Sequence, residues 1–274
     1  MSSQSEKMEI LGYMMALLIG LSLGLTGSGG SILTVPILVY LMGLNPVLAT
    51  SYSLFVVGAT STVGGVRFFR RGLVHVKALL LFGLPSLLTI YVTRVFLLPA
   101  LPEVLLRAGR VIITKEMFVM VLFSLLMVAA AYSMVRSGSP KAKTAERMGE
   151  ARSVRYGWVL AQALLVGLIS GLVGAGGGFL IIPALVLFLR LDMKMAVGTS
   201  LVLIAGNSLV GFLGDMLHYT INWTFLLTFS ALSVSGIYLG SAFAHKIDSQ
   251  ALKRGFGWFI LVMGVFILFK EIFL

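Results

Sequence analysis

The chain contains no cysteine and little charge. Of its 274 residues, 11% are Asp, Glu, Lys or Arg and 58% are hydrophobic, whereas soluble domains are about 25% charged and 45–50% apolar. The absence of cysteine excludes disulfides, thiolate metal sites and cysteine nucleophiles. The three histidines, His75, His218 and His245, are far apart in the sequence. The sequence therefore predicts no metal centre, no cofactor and no enzyme.

Long uncharged runs indicate membrane spans. No Asp, Glu, Lys or Arg occurs between Ile10 and Val66, although one span needs only about 20 apolar residues. Mean hydropathy is +1.03. Because backbone polar groups in lipid must be paired within their own segment, these runs are expected to be helices. The prediction is an all-α, multi-pass protein of the cell membrane, with the lipid bilayer as its first partner.

The two halves of the chain resemble each other. A shift of 147 positions aligns Gly20–Leu98 with Gly167–His245 without a gap and matches glycine, proline and serine alike. Such duplication is typical of transporters, although chance similarity between Leu- and Gly-rich helices is the alternative. The expected organisation is a first repeat at 1–135, a cytoplasmic linker at 136–155 and a second repeat at 156–274. Each repeat has five apolar segments: 10–25, 31–43, 47–66, 78–98 and 116–135, then 157–173, 178–189, 195–214, 223–244 and 255–273.

Loop charges favour an inverted arrangement of the repeats. Ten crossings with the N-terminus outside place the basic loops at 67–77, 136–155, 190–194 and 245–254 in the cytoplasm. The loop at 93–115 disagrees, since its basic residues would then lie outside. If the short second segments of each repeat do not cross, the repeats are parallel instead.

Clustered glycines interrupt both repeats at the same place. The stretches "GLTGSGGSILTVP" from Gly24 and "GLVGAGGGFLIIP" from Gly171 lack the Gly-Lys-Ser/Thr ending of a phosphate loop. A sharp turn followed by a helix exposes backbone N–H groups that bind anions. The turns are therefore predicted to bind an anion, whereas the glycine pairs 20/24 and 167/171 have the spacing of helix packing.

Hydroxyl groups follow each glycine turn. Serines recur eight residues apart in both repeats, and they either donate to an oxyanion or bond their own backbone. The predicted substrate-binding residues are Gly27, Ser28, Gly29, Gly30, Ser51, Ser53, Ser61, Gly174, Gly176, Gly177, Gly178, Thr199, Ser200, Asn207 and Ser208.

No ionisable residue is predicted in the middle of a span. Arg67, His75, Asp215 and His218 lie at span ends, where solvated or snorkelling side chains are expected. The sequence therefore contains no carboxylate relay, predicts no particular coupling ion and offers no arginine to clamp an anion. The net charge of +11 is scattered among the loops, which excludes nucleic acid as a partner.

The order of these motifs resembles the TauE/SafE sulfite exporter family, also called toluene sulfonate uptake permeases. The resemblance is carried by G-x-G-G before a Pro-containing helix, by "AVGTSLVLIAGNSLVG" at 196–211 and by the ending "LKRGFGWFILVMGVFILF". It implies a permease for small sulfur-containing anions such as sulfite or organosulfonates; the alternative is a transporter of another small anion such as a carboxylate, with a membrane-embedded enzyme the less favoured alternative. The first repeat departs from the pattern, with Ser51 and Tyr52 where the second has Gly198 and Thr199.

Overall fold

A computed structural model describes residues 2–26, 30–108, 111–136, 156–189, 191–243 and 249–273. Ten helices and one hairpin make up this part of the chain. The first half of the chain contains α1 (Ser2–Thr26), α2 (Ser31–Pro36, continued by a π-helical turn, Ile37–Leu41), α3 (Pro46–Arg70), α4 (Val76–Val92), β1 (Val104–Ala108), β2 (Val111–Thr114) and α5 (Lys115–Arg136). The second contains α6 (Tyr156–Val173), α7 (Gly178–Phe188), α8 (Met193–Asp215), α9 (Trp223–Phe243) and α10 (Ser249–Phe273).

The ten apolar segments are all helical, and the prediction of a multi-pass helical membrane protein is confirmed. Six helices are long and apolar enough to cross a membrane: Pro46–Arg70, Val76–Ala100, Lys115–Val135, Met193–Asp215, Trp223–Ala242 and Gly255–Phe273. Three more apolar helices are shorter: Leu11–Leu25, Ser31–Leu41 and Gly157–Val173. The predicted linker lies almost wholly outside the described residues.

The segment from 93 to 115, predicted as a loop, is mostly regular structure. The helix α4 continues through a π-helical turn, Thr93–Leu97, as far as Ala100. An antiparallel hairpin follows, in which Val104 pairs with Thr114 and Leu106 with Ile113. Arg94 therefore belongs to a helix, and it no longer counts among the loop charges that disagreed with the inverted arrangement.

Helix caps recur at matching positions in the two halves of the chain. Asn45 accepts the N–H of Val47 at the start of α3 (2.9 Å), and Asp192 accepts that of Lys194 at the start of α8 (3.2 Å). These caps are 147 positions apart, the difference between 192 and 45. Side-chain caps satisfy N–H groups that have no partner within the helix.

The helices α3 and α8 pack against each other in opposite directions at the centre of the molecule. A Cβ added at Gly64 would lie 2.9 Å from Ile237 and 3.4 Å from Leu201. One added at Gly211 would lie 3.1 Å from Ile90 and 3.0 Å from Leu54. The later residue of α3, Gly64, thus contacts the earlier residue of α8, Leu201, and the earlier residue of α3, Leu54, contacts the later residue of α8, Gly211. The two helices therefore run antiparallel. Each of these six residues has its counterpart 147 positions away, among the same six.

Glycines bring the outer helices into close contact. A Cβ at Gly20 of α1 would lie 1.8 Å from the carbonyl oxygen of Ser233 in α9. One at Gly167 of α6 would lie 2.6 Å from that of Ser86 in α4. The glycine pairs 20/24 and 167/171 thus serve helix packing, as predicted.

Candidate functional site

The glycine stretch of the second repeat forms a tight turn with left-handed backbone. Gly174, Gly176 and Gly177 have φ of 72°, 65° and 71°, which L side chains rarely adopt. Gly177 is the N-terminal cap of α7, and Gly178 is the first residue of that helix. All four glycines are buried. The clustered glycines therefore serve a backbone shape that other residues would strain.

This turn lies against the crossing of α3 and α8. A Cβ added at Gly176 would lie 2.6 Å from the hydroxyl oxygen of Ser208 and 3.1 Å from both Val57 and Ile204. Val57 and Ile204 are 147 positions apart and each lies about halfway along its helix. An added Cβ at Gly176 is thus equally far from matching residues of the two halves of the chain, near the midpoints of two helices long enough to span a membrane.

The turn of the first repeat differs where it is described. Gly30 has right-handed backbone, with φ −62° and ψ −25°, unlike its counterpart Gly177. A Cβ at Gly30 would instead lie 2.6 Å from the carbonyl oxygen of Ile19, so close packing with α1 accounts for this glycine. Gly27, Ser28 and Gly29 lie outside the described residues.

Several predicted hydroxyls are buried without a partner in the described part of the chain. The side chains of Ser53, Ser61 and Ser208 are fully buried, and their oxygens bond to no residue that the structure describes. Asn207 is also buried; its Oδ1 accepts from Ser86 (3.1 Å), whereas its Nδ2 donates to no described residue. Unpaired buried donors are costly, so these groups are available to a ligand that enters the core.

Two other predicted residues have structural bonds. Thr199 Oγ1 accepts the backbone N–H of His75 (2.9 Å), and Tyr52 Oη, its counterpart, accepts that of Asn222 (2.7 Å). Ser200 donates to the carbonyl oxygen of Val197 (2.9 Å). Although Tyr52 stands where the second half has Thr199, both hydroxyls accept a backbone N–H from matching positions, 222 and 75, of the opposite half.

The sequence prediction for Asp215 was wrong, because its carboxylate is buried and paired with Arg94. Among the described residues these are the only fully buried charged side chains. Arg94 Nη1 lies 2.8 Å from Asp215 Oδ2 and 3.0 Å from Thr50 Oγ1. Ser51, a predicted site residue, also donates to Asp215 Oδ2. The pair joins α4 of the first half to α8 of the second, which is why a single-segment pattern could not show it.

The ion pair leaves two of the three guanidinium nitrogens and one of the two carboxylate oxygens without a partner among the described residues. Arg94 Nε and Nη2 and Asp215 Oδ1 are buried and make no hydrogen bond within the described residues. Burial and the negative charge of Asp215 raise the pKa of Tyr219 in the adjoining loop. That phenol is therefore neutral at physiological pH and adds no competing charge.

The buried glycine turn and the buried ion pair both lie between helices of the two halves of the chain, and sequence comparison identifies the family. The profile described as "Sulfite exporter TauE/SafE" matches residues 13–267, nearly the whole chain. The chain belongs to the TauE/SafE sulfite exporter family. This confirms the resemblance seen in the motifs.

Curated relatives of this TauE/SafE protein are described as transporters. A "Probable membrane transporter protein" of Xylella fastidiosa strain Temecula1 is 29% identical, covering 93% of this chain and 92% of its own. "Probable membrane transporter protein YunE" of Bacillus subtilis strain 168 is 25% identical, covering 96% of this chain and 100% of its own. No solved structure matches the chain.

Proposed function

We propose that this TauE/SafE protein is a secondary transporter that carries a small sulfur-containing anion, such as sulfite or an organosulfonate, by alternating access. The observation that carries the proposal is the left-handed turn at Gly174–Gly177, which leads into α7 and packs Gly176 against Ser208, beside the midpoints of α3 and α8. Irregular backbone at membrane depth is tolerated where it is buried in protein or lines a cavity.

The chemistry of this turn suits an anion. The N–H groups at the start of a helix have no partner within it, and that end carries about half a positive charge. Ser208 and the Nδ2 of Asn207 add two donor groups that have no acceptor among the described residues. Neutral donors bind an anion modestly, which suits a carrier that must also release it.

An inverted repeat gives this site a way to face both sides of the membrane. Supporting the inversion, α3 and α8 are counterparts that run antiparallel, and their contacts exchange at a spacing of 147 residues. Two matching helices that run antiparallel are related by a two-fold axis perpendicular to their length. If both helices span the membrane, this axis lies in the membrane plane. Transporters with such repeats bind their cargo near that axis and rock one repeat against the other.

Flux into proteoliposomes tests the function. The purified protein is reconstituted, and uptake of sulfite, thiosulfate, methanesulfonate, sulfoacetate and acetate is compared with that of protein-free liposomes. We expect saturable flux of at least one sulfur oxyanion. Flux of acetate alone would assign the protein to carboxylates, and the absence of flux for every anion would contradict the proposal.

A further inference from the structure

The Arg94–Asp215 pair is an unexpected feature for a helix interface in a membrane. Removing two charges from water costs more than their attraction returns unless other hydrogen bonds satisfy the remaining donors and acceptors. Within the described part of the chain, Arg94 bonds only through Nη1 and Asp215 only through Oδ2. An ion pair retained for stability alone would be expected to use more of its groups, and ionisable residues within spans usually mark a substrate or ion path.

The unbonded edge of Arg94 has a geometry that suits binding of an oxyanion. Nε and Nη2 lie on the same side of the guanidinium, where their N–H bonds run nearly parallel. This is the geometry that holds two oxygens of a carboxylate, phosphate or sulfonate at once. Both nitrogens are buried and donate to no described residue.

The fold itself does not require this pair. Positions 51, 94 and 215 correspond to Gly198, Ser241 and Phe68 in the other half of the scaffold. A Cβ at Gly198 would lie 3.0 Å from the Phe68 ring, so the matching contact is made without a buried ion pair. The polar cluster is therefore specific to one end of the α3 and α8 crossing.

The pair also adjoins the glycine turn. A Cβ at Gly174 would lie 2.4 Å from Cβ of Thr50, whose hydroxyl accepts from Arg94. Thr50 and Val57 are seven residues, about two turns, apart on α3, and Gly174 and Gly176, only two residues apart, lie within about 7 Å of each other. The ion pair and the turn are therefore neighbouring parts of one buried region.

We propose that the Nε and Nη2 edge of Arg94 is an oxyanion-binding site and that Asp215 is the counter-ion with which the anion competes. The identity of the anion as transported cargo rests on the proposed function. In the structure the carboxylate neutralises the guanidinium, and an arriving oxyanion takes over that role on the adjacent edge. The guanidinium supplies a full positive charge for the anion, which the neutral hydroxyls of Ser and Thr do not.

Binding to four variants in detergent tests the site. The probes are sulfite, methanesulfonate, sulfoacetate and acetate, and binding is measured as a concentration-dependent rise in the thermal midpoint. We expect Arg94→Gln to abolish binding, and Asp215→Asn, which removes the competitor, to tighten it by about tenfold or more. The double variant Arg94→Gln/Asp215→Asn should fold but bind no anion. Arg67→Gln, which removes an exposed arginine bonded to Ser241, should bind like wild type.

A purely structural ion pair gives a different pattern. Both single variants would then lower the thermal midpoint and weaken binding together, and the neutral double variant would restore both. That result, or unchanged binding in Arg94→Gln, would overturn the inference. Failure of the wild type to bind any of the four anions would overturn it as well.

Flux separates this inference from the proposed function. Binding that depends on Arg94 without any transport would contradict the transporter while leaving the oxyanion site intact. Transport that survives Arg94→Gln unchanged would leave the transporter intact and refute the site.

Discussion

At the scale of single residues, the left-handed glycines differ in what surrounds them. Gly176 (φ 65°) is packed against Ser208, whereas Gly43 (φ 67°) has nothing within 4 Å of an added Cβ. At either position an alanine must adopt left-handed backbone, which destabilises the folded state by about 1–2 kcal/mol. Only Gly176→Ala adds a methyl group against a buried hydroxyl, at a further cost of about 1–3 kcal/mol. We expect a larger fall in thermal midpoint for Gly176→Ala.

Transport distinguishes these two glycines more sharply. If the turn contacts the anion, flux per folded molecule of Gly176→Ala falls severely, while that of Gly43→Ala stays near wild type. Equal flux from both variants, normalised to folded protein, would mean that the turn serves packing alone.

Residue identities explain which site predictions were possible. The glycine turn was visible because consecutive glycines have few other uses, and the structure gives three of them φ near 70°. Arg94 was missed because its charge led to its assignment to the loop at 93–115, although the predicted apolar segment 78–98 contains it and Val95, Phe96, Leu97 and Leu98 continue the apolar run beyond it. Its partner, Asp215, is 121 positions away, and no local pattern reports such a contact.

At the scale of helices, α6 contains a matched pair of glycines. A Cβ at Gly167 would lie 2.6 Å from the Ser86 carbonyl oxygen in α4, whereas one at Gly157 would meet nothing within 4 Å. Gly167→Ala should therefore lower the free energy of unfolding by about 1–3 kcal/mol. Gly157→Ala should raise it by about 0.5–1 kcal/mol, because alanine favours a helix. Chemical unfolding in detergent measures both.

The role of Gly167 in packing also predicts its effect on function. Flux of Gly167→Ala should fall only in proportion to the amount of folded protein. A loss of flux in fully folded Gly167→Ala would place this glycine in the transport path and contradict the assignment.

Helices were predictable from hydropathy because spans in lipid leave the backbone few alternatives. Their ends and connections were not. The π-helical turn at Thr93–Leu97 and the hairpin at 104–114 depend on contacts that a hydropathy pattern does not describe. The helix caps follow the residue types more directly, since Asn and Asp, here Asn45 and Asp192, are preferred at the N-cap position.

At the scale of the whole molecule, the matching contacts are evidence that the sequence alone did not contain. Alignment at a spacing of 147 shows similar residues but not their orientation. The antiparallel packing of α3 and α8 supports an axis in the membrane plane, and this favours inverted over parallel repeats.

The arrangement predicts on which side of the membrane two matching loops lie. The loop after α3 contains Arg71, and the loop after α8 contains Thr220; both side chains are exposed. Because the chain has no cysteine of its own, Arg71→Cys and Thr220→Cys each introduce a single thiol. A membrane-impermeant maleimide applied to intact cells should label Thr220→Cys and leave Arg71→Cys unlabelled until the cells are opened, since the basic loop is expected in the cytoplasm. Inverted repeats require opposite sides, whereas labelling of both thiols from one side would make the repeats parallel and remove the basis for rocking about a central turn.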